Sequence, residues 1–199
     1  MATVEGALFV RVTELSIPGA YVIESPVWGD DRGFFREWFK QSDFVEAGID
    51  FDIRQANLST SRRGVIRGLH YSIAPEGQAK VVTCVYGELV DVILDVRVGS
   101  PTFGAFETVH LAASEERSLF LPIGAAHGIC VTSEEAALSY LLSSPFNASL
   151  ELEINPFDEA LGVPWPLKGE AIVSEKDAKA PTLADRLRDG QLPLYATAT

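Results

Sequence analysis

The sequence predicts an all-β core, a sandwich or barrel, with a fringe of short helices. Three observations carry this: short apolar or alternating runs recur at regular spacing, turn residues separate them, and helix signals are few. That spacing fits a sandwich or barrel better than βαβ units.

Taken in order, Ser42 is placed to cap a short helix over Asp43–Ala47, with Gly48 as its stop. Arg67-Gly68-Leu69-His70-Tyr71 lies in a region that reads as strand. The polar loop Ser72–Gln78 follows, and Lys80 opens the apolar run Val81-Val82-Thr83-Cys84-Val85. After Gly87, the residues Val90, Val92, Leu94 and Val96 alternate with Asp91, Ile93, Asp95 and Arg97, mostly a period of two. Gly99-Ser100-Pro101 closes that strand with turn chemistry. Further runs cover Phe106–Leu111, Ser118–Leu121, Gly128–Thr132, Ala137–Leu142 and Leu150–Ile154. Near the C-terminus Thr182 is placed to cap Leu183–Asp189, stopped by Gly190.

At 199 residues, with no repeat, linker or low-complexity tract, the chain suits one domain spanning 1–199. No apolar stretch reaches the roughly 20 residues of a membrane helix, and no secretory signal opens the chain, so a cytosolic location is expected. Cys84 and Cys130 both sit in apolar runs and read as buried free thiols. A formal charge of −12 excludes nucleic acid as a natural partner and demands a local cation cluster for any anionic ligand. Arg32, Arg36, Arg62, Arg63, Arg67 and Lys80 are the candidates, all in the first half.

The chemistry concentrates at Arg67–Tyr71 and Lys80. An imidazole titrating near neutrality can take a proton from carbon and return it, and a nearby lysine suits a phosphate or a developing enolate. Read alone, His70 is equally a structural histidine. The segment Pro122-x-Gly124-x-x-His127 fits the second half-motif of the cupin jelly roll, in which a tight turn aims the histidine into the barrel. The paired histidines of the metal-binding first half-motif are missing, since Tyr71 and Ser72 follow His70. His110 has no ligand spacing with His70 or His127, so no metal is expected.

Several motifs together resemble the dTDP-4-dehydrorhamnose 3,5-epimerase family. They are Asp31-Arg32-Gly33-Phe34-Phe35-x-Glu37, Gln55-x-Asn57, Arg67-Gly68-Leu69-His70-Tyr71, Gly99-Ser100-Pro101-Thr102-Phe103-Gly104, Pro122-x-Gly124-x-x-His127, Leu161-Gly162-x-x-Trp165-Pro166 and Ser174-x-Lys176-Asp177. They run in order from about Gly19 to Pro193. The resemblance implies a cupin-type double-stranded β-helix and a homodimer with exchanged N-terminal strands. It also implies epimerisation of a dTDP-4-keto-6-deoxyhexose, such as dTDP-4-keto-6-deoxyglucose, at carbon 3, carbon 5 or both.

By the same resemblance, His70 matches the general base and Asp177 the carboxylate that orients it. Tyr140 matches the proton donor on the opposite face of the sugar, and Lys80 the group that stabilises the enolate oxygen. Arg67 and His127 match sugar and diphosphate contacts; Gln55, Asn57, Glu151 and Lys176 match further binding positions. Arg32 and Glu37 resemble nucleotide contacts supplied by the partner subunit, with Phe34 or Phe35 stacking on the thymine. Without the resemblance, Asp177 reads as a solvated charge, Tyr140 as a core aromatic and Arg32 as an ion-pair partner of Asp30 or Asp31. No redox cofactor is implied, because the substrate already carries its ketone.

Phe146 stands where many members have a second tyrosine, Ala125-Ala126 where an aromatic is common, and Ile129 where phenylalanine is usual. These departures, with Pro75-x-Gly77-Gln78-Ala79-Lys80, resemble the branch serving deoxysugars of secondary metabolism, where only one carbon is inverted in some enzymes. Two other readings fit a fold of this class: a metal-dependent cupin oxygenase or isomerase, and a sugar-nucleotide binder without turnover.

Overall fold

Thirteen strands and three short helices occupy residues 9–196, the part of the chain that the computed structural model describes. In chain order the strands are β1 (Arg11–Glu14), β2 (Tyr21–Glu24), β3 (Val27–Asp30), β4 (Gly33–Arg36), β5 (Gln55–Arg62), β6 (Ile66–Ser72) and β7 (Lys80–Tyr86). There follow β8 (Glu88–Asp95), β9 (Phe106–Ala112), β10 (Arg117–Leu121), β11 (Ala125–Val131), β12 (Glu135–Leu142) and β13 (Glu151–Glu153). The helices are α1 (Gln41–Glu46), α2 (Glu175–Ala178) and α3 (Leu183–Arg188).

Eleven of the strands form two antiparallel sheets, ordered β1-β2-β10-β7-β12-β5 and β13-β6-β11-β8-β9. Apart from β1–β2 and β8–β9, neighbours in both sheets are non-consecutive, the signature of a jelly roll, and the all-β expectation holds. The sheets enclose one apolar cluster, with Val82, Cys84 and Leu138 from the first facing Leu89, Ile93 and Ile129 from the second.

The outer faces are covered as well. Val81, Phe120 and Leu141 pack under Phe44 of α1 and Phe51. Leu69, Tyr71, Val92 and Leu94 pack under Leu183 of α3 and Trp165. Double coverage explains why β7 reads as an unbroken apolar run. It also leaves β8 without a solvent face: Asp91 and Asp95 are both fully buried.

Local chemistry sets the helix ends. Thr182 caps α3 as expected, and its hydroxyl and the Asp185 carboxylate complete a reciprocal capping box. Ser42 does not cap α1. The helix begins two residues earlier than expected, at Gln41, after an uncapped Lys40, and the Ser42 hydroxyl turns to Asp43 at 3.2 Å. Burial of Phe44 against Phe39, with ring centroids 4.8 Å apart, anchors this helix instead. Strand β11 starts three residues before the expected Gly128, directly behind the Pro122–Gly124 turn that the Ala125 N–H closes on the Pro122 carbonyl. The N-terminal strands β1 and β2 lie in the six-stranded sheet of this chain, whereas β3 and β4 form a separate exposed hairpin. Among the described residues no helix is long and apolar enough to cross a membrane.

Candidate active site

A cavity of about 370 Å³ opens between the two sheets. Period-two geometry selects its walls. In β7 the inward positions are Lys80, Val82 and Cys84; in β12 they are Leu138 and Tyr140, and in β5 Asn57 and Ser59. Opposite them, β6 contributes Arg67 and His70, β11 His127 and Ile129, and β13 Glu151. His70 and His127 are register partners across β6 and β11, so the two imidazoles are neighbours on one wall. Gly68 permits this close pairing: it sits at φ 106°, and a Cβ there would lie 2.4 Å from the His127 carbonyl oxygen.

All four residues assigned catalytic roles by resemblance border the cavity: His70, Tyr140, Asp177 and Lys80. His70 Nε2 lies 2.7 Å from Asp177 Oδ1. A carboxylate only accepts, so the neutral ring carries its proton on Nε2 and its lone pair on Nδ1. Asp177 is buried on α2, which Ser174 caps by accepting the Asp177 N–H at 3.0 Å. Burial pushes the Asp177 carboxyl up, but hydrogen bonds from His70, Ser174 and the Gly68 N–H win and hold it below the usual range. The solvated-charge reading of Asp177 is thereby corrected: one turn of helix turns it inward beside Lys176, which stays exposed.

Tyr140 stands on the sheet opposite His70. Lys80 is buried, 8% exposed, and makes no hydrogen bond or ion pair among the described residues. Burial lowers the pKa of its ammonium, and the charges of Glu151 and Asp91 oppose that shift. An imidazole, an opposed phenol and a buried cation without a partner among the described residues thus share one cavity.

Of the expected binding residues, Asn57, Arg67, His127, Glu151 and Lys176 line the cavity and Gln55 does not. The Gln55 amide donates to Asn57 Oδ1 at 2.8 Å and accepts the Phe146 N–H at 2.9 Å. It therefore turns the Asn57 amino group away from Gln55 and pins the segment carrying Phe146. Arg32, Phe34 and Glu37 are also absent from the lining. Arg32 pairs with Asp30 at the exposed hairpin tip, and Phe34 is exposed. Glu37 borders a separate surface depression of about 520 Å³ beside Trp28 and Lys40.

The expected cluster of six cations does not converge in this protomer. Arg36 is half-buried against Thr83 and Ser118, and Arg62 and Arg63 are exposed beyond the cavity, which keeps Arg67 and Lys80 of the six and adds Lys176. Sequence reasoning missed Gln78, Asp91 and the placement of Phe146. Phe146 lines the cavity while its ring remains 59% exposed, the position of a stacking platform at the rim. The anomaly at Asp91, a carboxylate inside an apolar strand, was the available signal. No group of three or more His, Cys, Asp or Glu among the described residues is arranged to hold a metal ion.

Comparison with known proteins agrees with this geometry. A family profile described as dTDP-4-dehydrorhamnose 3,5-epimerase matches residues 14–185. A dTDP-4-dehydrorhamnose 3,5-epimerase of Mycolicibacterium smegmatis is 44% identical over 184 residues, 92% of this chain and 90% of that one. The crystal structure of NovW, a 4-keto-6-deoxy sugar epimerase from the novobiocin cluster of Streptomyces spheroides, superposes with a TM-score of 0.92 at 41% identity, covering 96% of each chain. ChmJ, a 3'-monoepimerase from Streptomyces bikiniensis solved with dTDP-quinovose, gives 0.88 at 42% identity, covering 91% of this chain and 92% of that one. With the profile spanning both sheets and α2, the chain belongs to the dTDP-4-dehydrorhamnose 3,5-epimerase family.

Proposed function

We propose that the chain epimerises a dTDP-4-keto-6-deoxyhexose next to its ketone, with His70 as base and Tyr140 as acid. The observation that carries this reading is the opposition of an Asp177-backed imidazole and a phenol across one cavity, with Lys80 buried in the same wall system. A hydrogen on carbon beside a ketone is weakly acidic, and the barrier is chiefly the unstable enolate. His70 Nδ1 takes that proton, and Asp177 stabilises the imidazolium so formed. Lys80, shielded from water, stabilises the negative oxygen as it develops. Tyr140 then returns a proton from the opposite face, which inverts the carbon.

Arg67 and Lys176 border the cavity as cations for the diphosphate of an otherwise acidic protein, and Phe146 offers a flat apolar face to the base. This is a better place for stacking within one protomer than Phe34. The exposed β3–β4 hairpin, with Trp28, Phe34 and Phe35 uncovered, is suited to reach a second copy. In that homodimer Arg32 and Glu37 would serve the partner's nucleotide. The whole chain, 1–199, acts in this reading as one epimerase domain that needs neither metal nor redox cofactor.

The test is proton NMR of dTDP-4-keto-6-deoxyglucose incubated with the protein in heavy water. Deuterium entering carbon 3, carbon 5 or both, with inverted configuration, is the expected result and identifies the carbons. No exchange, beside an active control enzyme, overturns the reading.

A further inference from the structure

A second histidine–carboxylate pair lies beside the first, and no step so far uses it. His127 Nε2 is 2.7 Å from Asp91 Oδ2. Asp91 is fully buried on β8, inside the sandwich and behind the cavity wall. Its other oxygen, Oδ1, is buried with no hydrogen-bond partner among the described residues. Lys80, on the facing sheet, also lacks a partner and is electrostatically coupled to Asp91.

A buried carboxylate with one bare oxygen is costly unless positive charge offsets it. Most buried side-chain oxygens have a hydrogen-bond partner, so the bare Asp91 oxygen calls for an explanation. The sequence offers no steric reason for the acid either, since the inward neighbours on β8 are Leu89 and Ile93. What the carboxylate does have is two cavity-lining partners of opposite preference: an imidazole it orients directly and an ammonium it holds charged from a distance. Because Asp91 engages Nε2, the nitrogen of His127 left for a ligand is Nδ1, in parallel with His70 one register position across.

We propose that Asp91 is a positioning residue for the reaction: it fixes the orientation of His127, a sugar or diphosphate contact, and supports the charge of Lys80, the group that meets the substrate's developing negative oxygen. This rests on the epimerase reading above. The remaining charged or titratable groups facing this space are Arg67 and His70 on β6, Tyr140 on β12, Glu151 on β13, and Lys176 and Asp177 on α2. Glu151 shares the support of Lys80, so loss of Asp91 weakens that charge without abolishing it.

The test uses the isosteric Asp91→Asn variant of the full chain, which removes a buried charge and keeps a polar group against His127. In wild type, proton NMR should show two exchange-protected imidazole Nε2–H signals, one from each pair; Asp177→Asn and Asp91→Asn should each alter a different one. In the exchange assay, Asp91→Asn should lower kcat by about 10- to 100-fold, below the 10²–10³ typical for deleting an oxyanion donor outright. KM should change far less. The alkaline limb of kcat/KM should move to lower pH, because Lys80 loses a charge that opposes its desolvation. Adding His127→Gln to Asp91→Asn should cost little more, since the two act as a unit.

An Asp91→Asn enzyme with wild-type kcat and an unmoved alkaline limb overturns the proposal, as does an unchanged pair of Nε2–H signals. Wild-type protein inactive on the keto sugar would instead sink the epimerase reading, which the wild-type assay shows without any variant; the NMR comparison still decides whether Asp91 orients His127.

Discussion

Two aspartates four residues apart on β8, both fully buried, have opposite surroundings. Asp95 is saturated: it accepts from Arg97 Nε and Nη2 at 2.8 Å each, the Arg97 N–H at 3.1 Å, Ser100 Oγ at 2.6 Å and Thr102 Oγ1 at 2.7 Å. Arg97 in turn reaches the Pro18 carbonyl at 3.0 Å and lies over the Tyr195 ring at 4.9 Å, tying both ends of the chain to this corner. Asp91 has one partner and one bare oxygen. The Asp95 carboxylate is taken up in holding this corner together, whereas Asp91 leaves one oxygen without a partner behind the cavity wall. The Gly99–Gly104 motif belongs with the first and the His70 and His127 motifs with the second.

The largest expected effect falls on the cavity. His70→Asn should reduce deuterium incorporation by about 10²–10⁴-fold, the worth of a positioned base. Its thermal midpoint should stay near wild type, because the side chain is 39% exposed. A large fall in stability would break the contrast, since the pair with Asp177 would then be structural.

Asp95→Asn should do the reverse. It leaves the buried Arg97 guanidinium without its counter-ion, a loss of about 3–5 kcal/mol in urea unfolding, with kcat of the folded fraction unchanged. Burial pushes Asp95 up, yet the Arg97, Ser100 and Thr102 hydrogen bonds hold it down at about 2, against 3.8 for the free side chain. The unfolded chain therefore binds the proton more readily, and the contribution of Asp95 is complete above pH 4 and lost as pH falls toward 2. Wild type should lose on the order of 2 kcal/mol across that window from this group. The variant should lack that component.

Legibility in the sequence followed the same division. Capping at Thr182, the turn before β11 and the strand runs are local, and local chemistry announced them. The alternation in β8 was legible but its meaning was not: both sheets are covered outside, so it separates two cores. Asp177 was readable only through its motif: four charged or polar neighbours disguise a carboxylate that a single helical turn aims 107 residues back along the chain at His70. Ser42 misled because a good capping residue two positions too late is only a helix residue. Gln55 shows the limit of motif transfer, since it lies in the matching strand yet acts on Asn57 and the Phe146 backbone.

The smallest effects make the finest comparison, between two caps of one chemical kind. Thr182 and Ser174 each accept the N–H of the third residue of a short helix, at 3.1 Å and 3.0 Å. Thr182→Ala should cost about 1 kcal/mol and nothing in rate, because α3 lends no side chain to the cavity: it packs Leu183 on the second sheet and ties Arg186 to Glu153. Ser174→Ala should cost a similar amount in stability, yet it also removes one of the hydrogen bonds that hold Asp177 down. Asp177 becomes easier to protonate, and a protonated acid no longer stabilises the imidazolium of His70. The acid limb of kcat should therefore move to higher pH in Ser174→Ala and stay in place in Thr182→Ala. Equal pH profiles for the two variants would show that Ser174 is a cap and nothing more.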